Sequence, residues 1–322
     1  MQRKRKEVLK EKKPILRRRA AIIAVVFATI IVLGFVMVRS FLQAPEIRFS
    51  LEAAIVDQLG AEVPNPDFNE TGIVANTLRS AGFNVTYYGS GAVDVAFYEG
   101  LAKHDYGLII LRSHAALREG EPVVDIFTNE EYKESEHVSE QQAGLLTEAY
   151  YDPRFFPDKA ETYFAITPKF IETLEGSFPK SVIIAMGCDT INETAQGLAQ
   201  AFIGKGAKMY VGWTGLVGYS QTDNQTVELM KRLLLENKTL ATAVQGLYDA
   251  TWGSMMEYYP PEAGSMRISD LISETKSSVA AHIAAENSEP QFLWVAGERF
   301  QVPVKLDWVV KRLNRLETVA YS

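Results

Sequence analysis

Two side chains carry the chemistry this chain could do: the single cysteine, Cys188, and one of four histidines, His114. Each stands where an apolar run gives out. Cys188 sits in Met186-Gly-Cys-Asp-Thr190, after Ser181-Val-Ile-Ile-Ala; His114 sits in Arg112-Ser-His-Ala-Ala116, after Tyr106-Gly-Leu-Ile-Ile-Leu111. A cysteine thiolate is a nucleophile, and an imidazole can take up and return its proton. In open α/β sheets, reactive groups gather beyond the carboxyl ends of the strands. If these two strands are neighbours, thiol and imidazole meet at one edge of the sheet. A nearby imidazolium and the N-terminus of a following helix would both favour the thiolate. The backbone amides of Ala115 and Cys188 are then the natural donors to an oxyanion. The plainer readings are a small apolar residue at a strand end and a satisfied loop histidine.

The elements that must position this pair follow a repeated β-α-β order, which predicts a mostly parallel, doubly wound sheet flanked by helices. Ala53–Asp57 reads as a buried strand, and Ile73–Ala81 as a helix stopped by Gly82. Residues 83–88, 106–111, 181–186 and 208–211 read as further strands. Thr167 and Pro168 are an N-cap and N1 pair for a helix running to Leu174. Further helices are expected near 193–203, 223–236 and 239–252. The pattern lapses between 115 and 167, an acidic and aromatic insertion with Tyr150-Tyr151 and Phe155-Phe156 as its densest points. Tyr259-Pro-Pro marks a boundary. The α/β domain is thus expected over 51–258, with a C-terminal α/β extension over 259–322.

The His-ending strand, the small-Cys strand end, the next helix and a Gly-Ala-strand together resemble the caspase-like cysteine peptidases. Cys188-Asp-Thr190, then Gly197 to Ala207, then Val211-Gly-Trp213, are similar to the CHAT and gingipain styles. The resemblance covers about residues 52–252. It implies a caspase-like sheet, Cys188 as nucleophile and His114 as general base or acid. It also implies that Asp57, Asp189 and Asp223, with Trp213, could line a pocket selecting Arg or Lys at the cleaved position. The competing use of Asp189 and Asp223 is to cap the helices that follow them. Two positions depart from the family: Ala115 stands where Gly usually follows the histidine, and Gly187 where Ala usually precedes the cysteine.

The N-terminus points to a membrane. Residues 1–19 hold ten Lys or Arg against Glu7 and Glu11, and Ala20–Val38 runs without a charge. Nineteen residues at helical rise nearly match the ~30 Å hydrocarbon core, so 20–38 is expected to span once, with 39–50 as a linker. The basic arm stays cytoplasmic and the main domain is extracytoplasmic. Net charge is −7 overall and falls to about −15 without the arm, which excludes a phosphate-binding footprint and so nucleic acid as partner. Five Asn-x-Thr sequons, at Asn69, Asn84, Asn192, Asn224 and Asn237, suit that side of the bilayer. A lone cysteine and widely spaced histidines offer neither a disulfide nor a zinc site, and no Walker or dinucleotide glycine pattern occurs, so no cofactor or metal is expected. The partners are a peptide or protein substrate and the lipid bilayer. Two functions stay open: a membrane-anchored cysteine peptidase, and a catalytically silent caspase-like binding or signalling module. A ligand-holding flavodoxin-like sensor is a third.

Overall fold

The structure, a computed structural model, describes residues 49–151 and 158–277, and the backbone of two further strands at 292–295 and 298–301. In chain order the strands and helices are β1 (Glu52–Asp57), α1 (Ile73–Ser80), β2 (Asn84–Gly89), α2 (Val95–Leu101), β3 (Tyr106–Arg112), β4 (Ala115–Leu117), β5 (Val124–Glu131), α3 (Val138–Gln142), β6 (Leu146–Tyr150), β7 (Thr162–Ile166), α4 (Pro168–Thr173), β8 (Val182–Ala185), α5 (Gly197–Gly204), β9 (Met209–Trp213), α6 (Tyr219–Met230), α7 (Leu240–Val244), β10 (Tyr248–Asp249), β11 (Ser254–Tyr259), β12 (Phe292–Val295) and β13 (Glu298–Gln301). The expected membrane span at 20–38, its basic arm and residues 302–322 of the expected C-terminal extension lie outside the described residues. Among those that are described, no helix is long and apolar enough to cross a membrane.

The chain is a mixed α/β protein built on a seven-stranded, mostly parallel sheet in the order β10-β11-β9-β8-β3-β1-β2. β3 is its centre: every residue from Tyr106 to Arg112 is buried. A strand apolar on both faces needs cover on both, and alternate side chains divide between two cores. Ala54, Val56, Ile109 and Leu111 enter one core with Tyr98 of α2, Phe170 of α4 and Phe202 of α5. Ala53, Ile55, Leu108 and Ile110 enter the other with Leu78 of α1, Leu229 of α6 and Leu240 of α7. Ile268 and Leu271, on a helix that starts beyond Tyr259-Pro-Pro, belong to that second core, so packing continues across the expected boundary.

Three departures from the sequence reading matter. The 115–167 insertion is a second, four-stranded sheet in the order β4-β5-β7-β6, every pair antiparallel. The helix expected over 239–252 ends at Val244: Gly246 takes a positive φ of 74°, and the chain turns into the hairpin β10–β11, which pairs antiparallel with β9. Finally, the helix after Cys188 begins only at Gly197, so the thiol does not sit at its N-terminus.

Candidate active site

β3 and β8 are parallel neighbours, with Leu111 opposite Ala185 and the Met186 amide donating to the Leu111 carbonyl at 2.9 Å. This pairing brings the ends bearing His114 and Cys188 to one edge. Contact between them is close: a Cβ on Gly187 would come within 2.7 Å of the Ala115 Cβ and of the Ser113 carbonyl oxygen, and 2.8 Å from the Ala115 nitrogen. Glycine at 187 is therefore a steric requirement of the two turns lying together. It also puts the Ala115 amide against the turn that carries Cys188. Gly187→Ala is expected to push the turns apart, costing roughly 1–3 kcal/mol of stability, the usual toll of overpacking. Chemical denaturation of the full chain measures it; an unchanged midpoint would contradict the close packing.

The thiol turn is held from several sides. The Thr190 hydroxyl donates to the Ala185 and Gly187 carbonyls (3.2 and 3.1 Å) and accepts from the Trp213 amide at 3.0 Å. Asp189 adopts a positive φ of 59°, a conformation aspartate tolerates better than most residues. Cys188 is half-buried, and its sulfur meets one residue on both sides: the Val217 amide donates to Sγ at 3.4 Å, and Sγ–H points to the Val217 carbonyl at 3.7 Å. Val217 lies two residues before α6. Burial pushes the thiol's pKa up, the Val217 amide partly offsets this, and Asp189 and Asp249 add to the rise. These effects together favour the protonated thiol.

His114 is packed among rings, with Phe127, Tyr151 and Tyr219 centroids 5.6, 4.9 and 5.4 Å from its own. Its amide donates to Gln58 Oε1, and its Nε2 lies 3.2 Å from Glu62 Oε2 and 3.1 Å from the Tyr219 hydroxyl. Glu62, on the loop after β1, also accepts from the Tyr151 hydroxyl (2.8 Å), the Tyr219 hydroxyl (2.8 Å) and Lys159 Nζ (2.5 Å). Burial alone would raise the pKa of Glu62; the bonds from His114, Lys159 and Tyr151 outweigh it and hold the carboxyl well below its ordinary range. Burial, with Glu62 alongside, pushes both tyrosines far up, so they remain phenols and donate. An ionised carboxylate only accepts, so Nε2 carries a proton toward Glu62; in a neutral ring the lone pair then falls on Nδ1.

No protein-family model matches this chain, and no curated protein matches it. The site therefore rests on its own geometry.

The expected substrate-pocket residues are placed elsewhere. Asp57 and Asp223 are buried and both grip Arg112, the last residue of β3: Nη1 reaches Asp57 Oδ1 at 2.6 Å, while Nε and Nη2 reach the two Asp223 oxygens at 2.8 Å each. Arg112 is fully buried, so these carboxylates answer an interior charge and are withdrawn from any substrate. Trp213 is fully buried too, its indole N–H donating to Thr222 Oγ1 at 2.9 Å; it is core, not a pocket wall. Asp189 is buried and accepts from Asn192 Nδ2 at 2.8 Å, closing its own turn. The structure thus packs the turn carrying His114 and Ala115 against the turn carrying Cys188, and buries the three acids and Trp213.

Glu62, Tyr151, Lys159, Val217 and Tyr219 were not singled out from sequence. One signal was there: residues 58–63 and 214–219 follow the carboxyl ends of β1 and β9, the same edge that β3 and β8 present. Among the described residues no group of His, Cys, Asp and Glu side chains could hold a metal ion.

Proposed function

We propose that this chain is a cysteine peptidase of caspase-like type, anchored by residues 20–38 with its main domain outside the cytoplasm. The observation that carries the reading is the juxtaposition of the His114 and Cys188 turns, packed so closely that Gly187 has no room for a side chain. Substrate binding brings the scissile carbonyl to Cys188. His114 Nδ1 takes the Sγ proton, and the thiolate attacks the carbonyl carbon to form a tetrahedral adduct. The Ala115 and Cys188 amides hold the developing oxyanion. The imidazolium returns its proton to the leaving amine, and water, deprotonated by the same nitrogen, releases the acyl group. Glu62 keeps the ring in the required tautomer and balances the imidazolium charge, as a carboxylate does for other catalytic histidines. Asp57 and Asp223, held by Arg112, are not the groups that would select Arg or Lys at the cleaved position.

One observation favours the silent-module alternative: the thiol is raised by burial and engaged by Val217. Sealed vesicles carrying the full chain, given a membrane-impermeant mixed peptide pool, separate the two. The peptidase reading expects cleavage on the outer face that Cys188→Ser abolishes. Cleavage that survives Cys188→Ser, or none from a folded wild type, overturns it.

A further inference from the structure

Tyr219 is the first residue of α6, and the five residues before it form a strap from β9 across the thiol turn. The strap is pinned on its far side: the Gly218 amide donates to Asp249 Oδ2 at 2.9 Å, and the Ser254 hydroxyl donates to the Leu216 carbonyl at 2.5 Å. Between those pins, Val217 touches the sulfur, and two residues on Tyr219 touches both His114 and Glu62. One short segment therefore reaches nucleophile, imidazole and carboxylate.

We propose that Tyr219 is the positioning residue of this site: its phenol oxygen and the Glu62 carboxylate share the Nε2 proton of His114, which leaves Nδ1 to exchange a proton with Cys188. The assignment rests on the peptidase reading above and adds to it a residue of a different chemical kind. The bookkeeping of protons is closed. The Tyr219 hydrogen goes to Glu62 Oε1, so its oxygen is left to accept from Nε2–H. Glu62, holding three other donors, remains an anion. When the Sγ proton leaves the Val217 carbonyl for Nδ1, the imidazolium keeps two acceptors at Nε2, one charged and one neutral. Among the described residues, the charged and titratable groups facing this pair are Glu62 after β1, Tyr151 at the end of β6, Lys159 before β7, Tyr219 on α6, and Asp189 and Asp249 on the sulfur side. Glu62 and Tyr219 are both bonded to the imidazole, and Tyr219 lies two residues from Val217, which touches the sulfur.

Because the chain holds one cysteine, alkylation by iodoacetamide reads Cys188 directly in the full-length protein. In wild type the rate is expected to rise in two steps with pH, the lower step reflecting transfer to His114 and disappearing in His114→Ala. Tyr219→Phe removes one acceptor of the Nε2 proton. It is expected to slow alkylation about tenfold near neutral pH, the worth of one hydrogen bond to a charged group, and to rejoin wild type at high pH, where the thiol ionises unaided. A Tyr219→Phe profile that overlays wild type, or lies below it by the same factor at every pH, overturns the assignment; the second pattern is that of a merely structural residue. A wild-type profile unchanged by His114→Ala sinks the His–Cys pairing itself, whereas a lower step lost in His114→Ala but kept in Tyr219→Phe sinks Tyr219 alone. Should Tyr219→Phe fail to fold, imidazole nitrogen NMR of the wild type decides: protonated Nε2 with a lone pair on Nδ1 is required, and the opposite tautomer overturns the assignment.

Discussion

Arg112→Met is expected to cost the fold about 3–5 kcal/mol, the penalty for leaving buried charge without its counterion. Methionine fills much of the space but leaves Asp57 and Asp223 facing one another in the interior, along with the Val63 carbonyl that Nη2 now satisfies. Burial already pushes Asp57 up even with the guanidinium beside it. Without that cation a folded-state carboxyl raised above its unfolded value favours the protonated form. Stability of the variant should therefore be greatest below the ordinary aspartate range near pH ~3.9 and fall as pH rises through the raised value. Denaturant titrations of wild type and variant across that window measure the effect. A variant as stable as wild type near neutral pH would mean that the triad is not the keystone drawn here. Since Arg112 closes β3 two residues before His114, the same variant should also disturb the site.

If the proposed peptidase mechanism holds, His114→Ala lowers kcat by about 10²–10⁴, the usual share of general acid–base catalysis. Glu62→Gln should fall less far, and in a way that tells the two apart. An amide can donate to Nε2, which stabilises the wrong tautomer and moves the proton to Nδ1, so the loss should appear in kcat with KM little changed. The pH dependence follows from the depressed carboxyl: the Glu62 contribution is complete above the ordinary glutamate range and drains away as pH falls through the lowered folded value. Initial rates on any peptide the full chain cleaves supply the comparison. Equal kcat for wild type and His114→Ala would remove the imidazole from the mechanism.

Much of the frame was legible because burial writes itself into short apolar runs. Tyr106–Arg112 and Val182–Ala185 are buried strands whose composition leaves few alternatives, and Thr167-Pro168 announces a helix start that the structure keeps, with the Thr167 hydroxyl accepting from the Phe170 amide. The second sheet was not legible. Its strands mix buried and exposed positions with no strict alternation, as in Leu146–Tyr150 and Thr162–Ile166, and acidic residues interrupt them. The site divides the same way. His114 and Cys188 could be found because each ends a strand. The roles of Asp57 and Asp223 were misjudged because an acid beside a strand looks alike whether it faces a ligand or an interior arginine, and only the position of Arg112 decides. Glu62 and Tyr219 escaped notice because neither lies in a recognisable pattern. They meet across 157 positions of chain, through a tertiary contact no local spacing encodes.

The second sheet has a kinetic consequence. It is strung entirely between β3 and β8, so the two strands that form the cleft are spatial neighbours separated by a long excursion. The antiparallel meander within that excursion is built from nearby partners and can zip up by itself, shortening the gap that must close. Docking β8 against β3 is then the late, non-local event. In a growing chain β1, β2, β3 and the meander should therefore assemble before the Cys188 turn meets the His114 turn, with β9 to β11 added last.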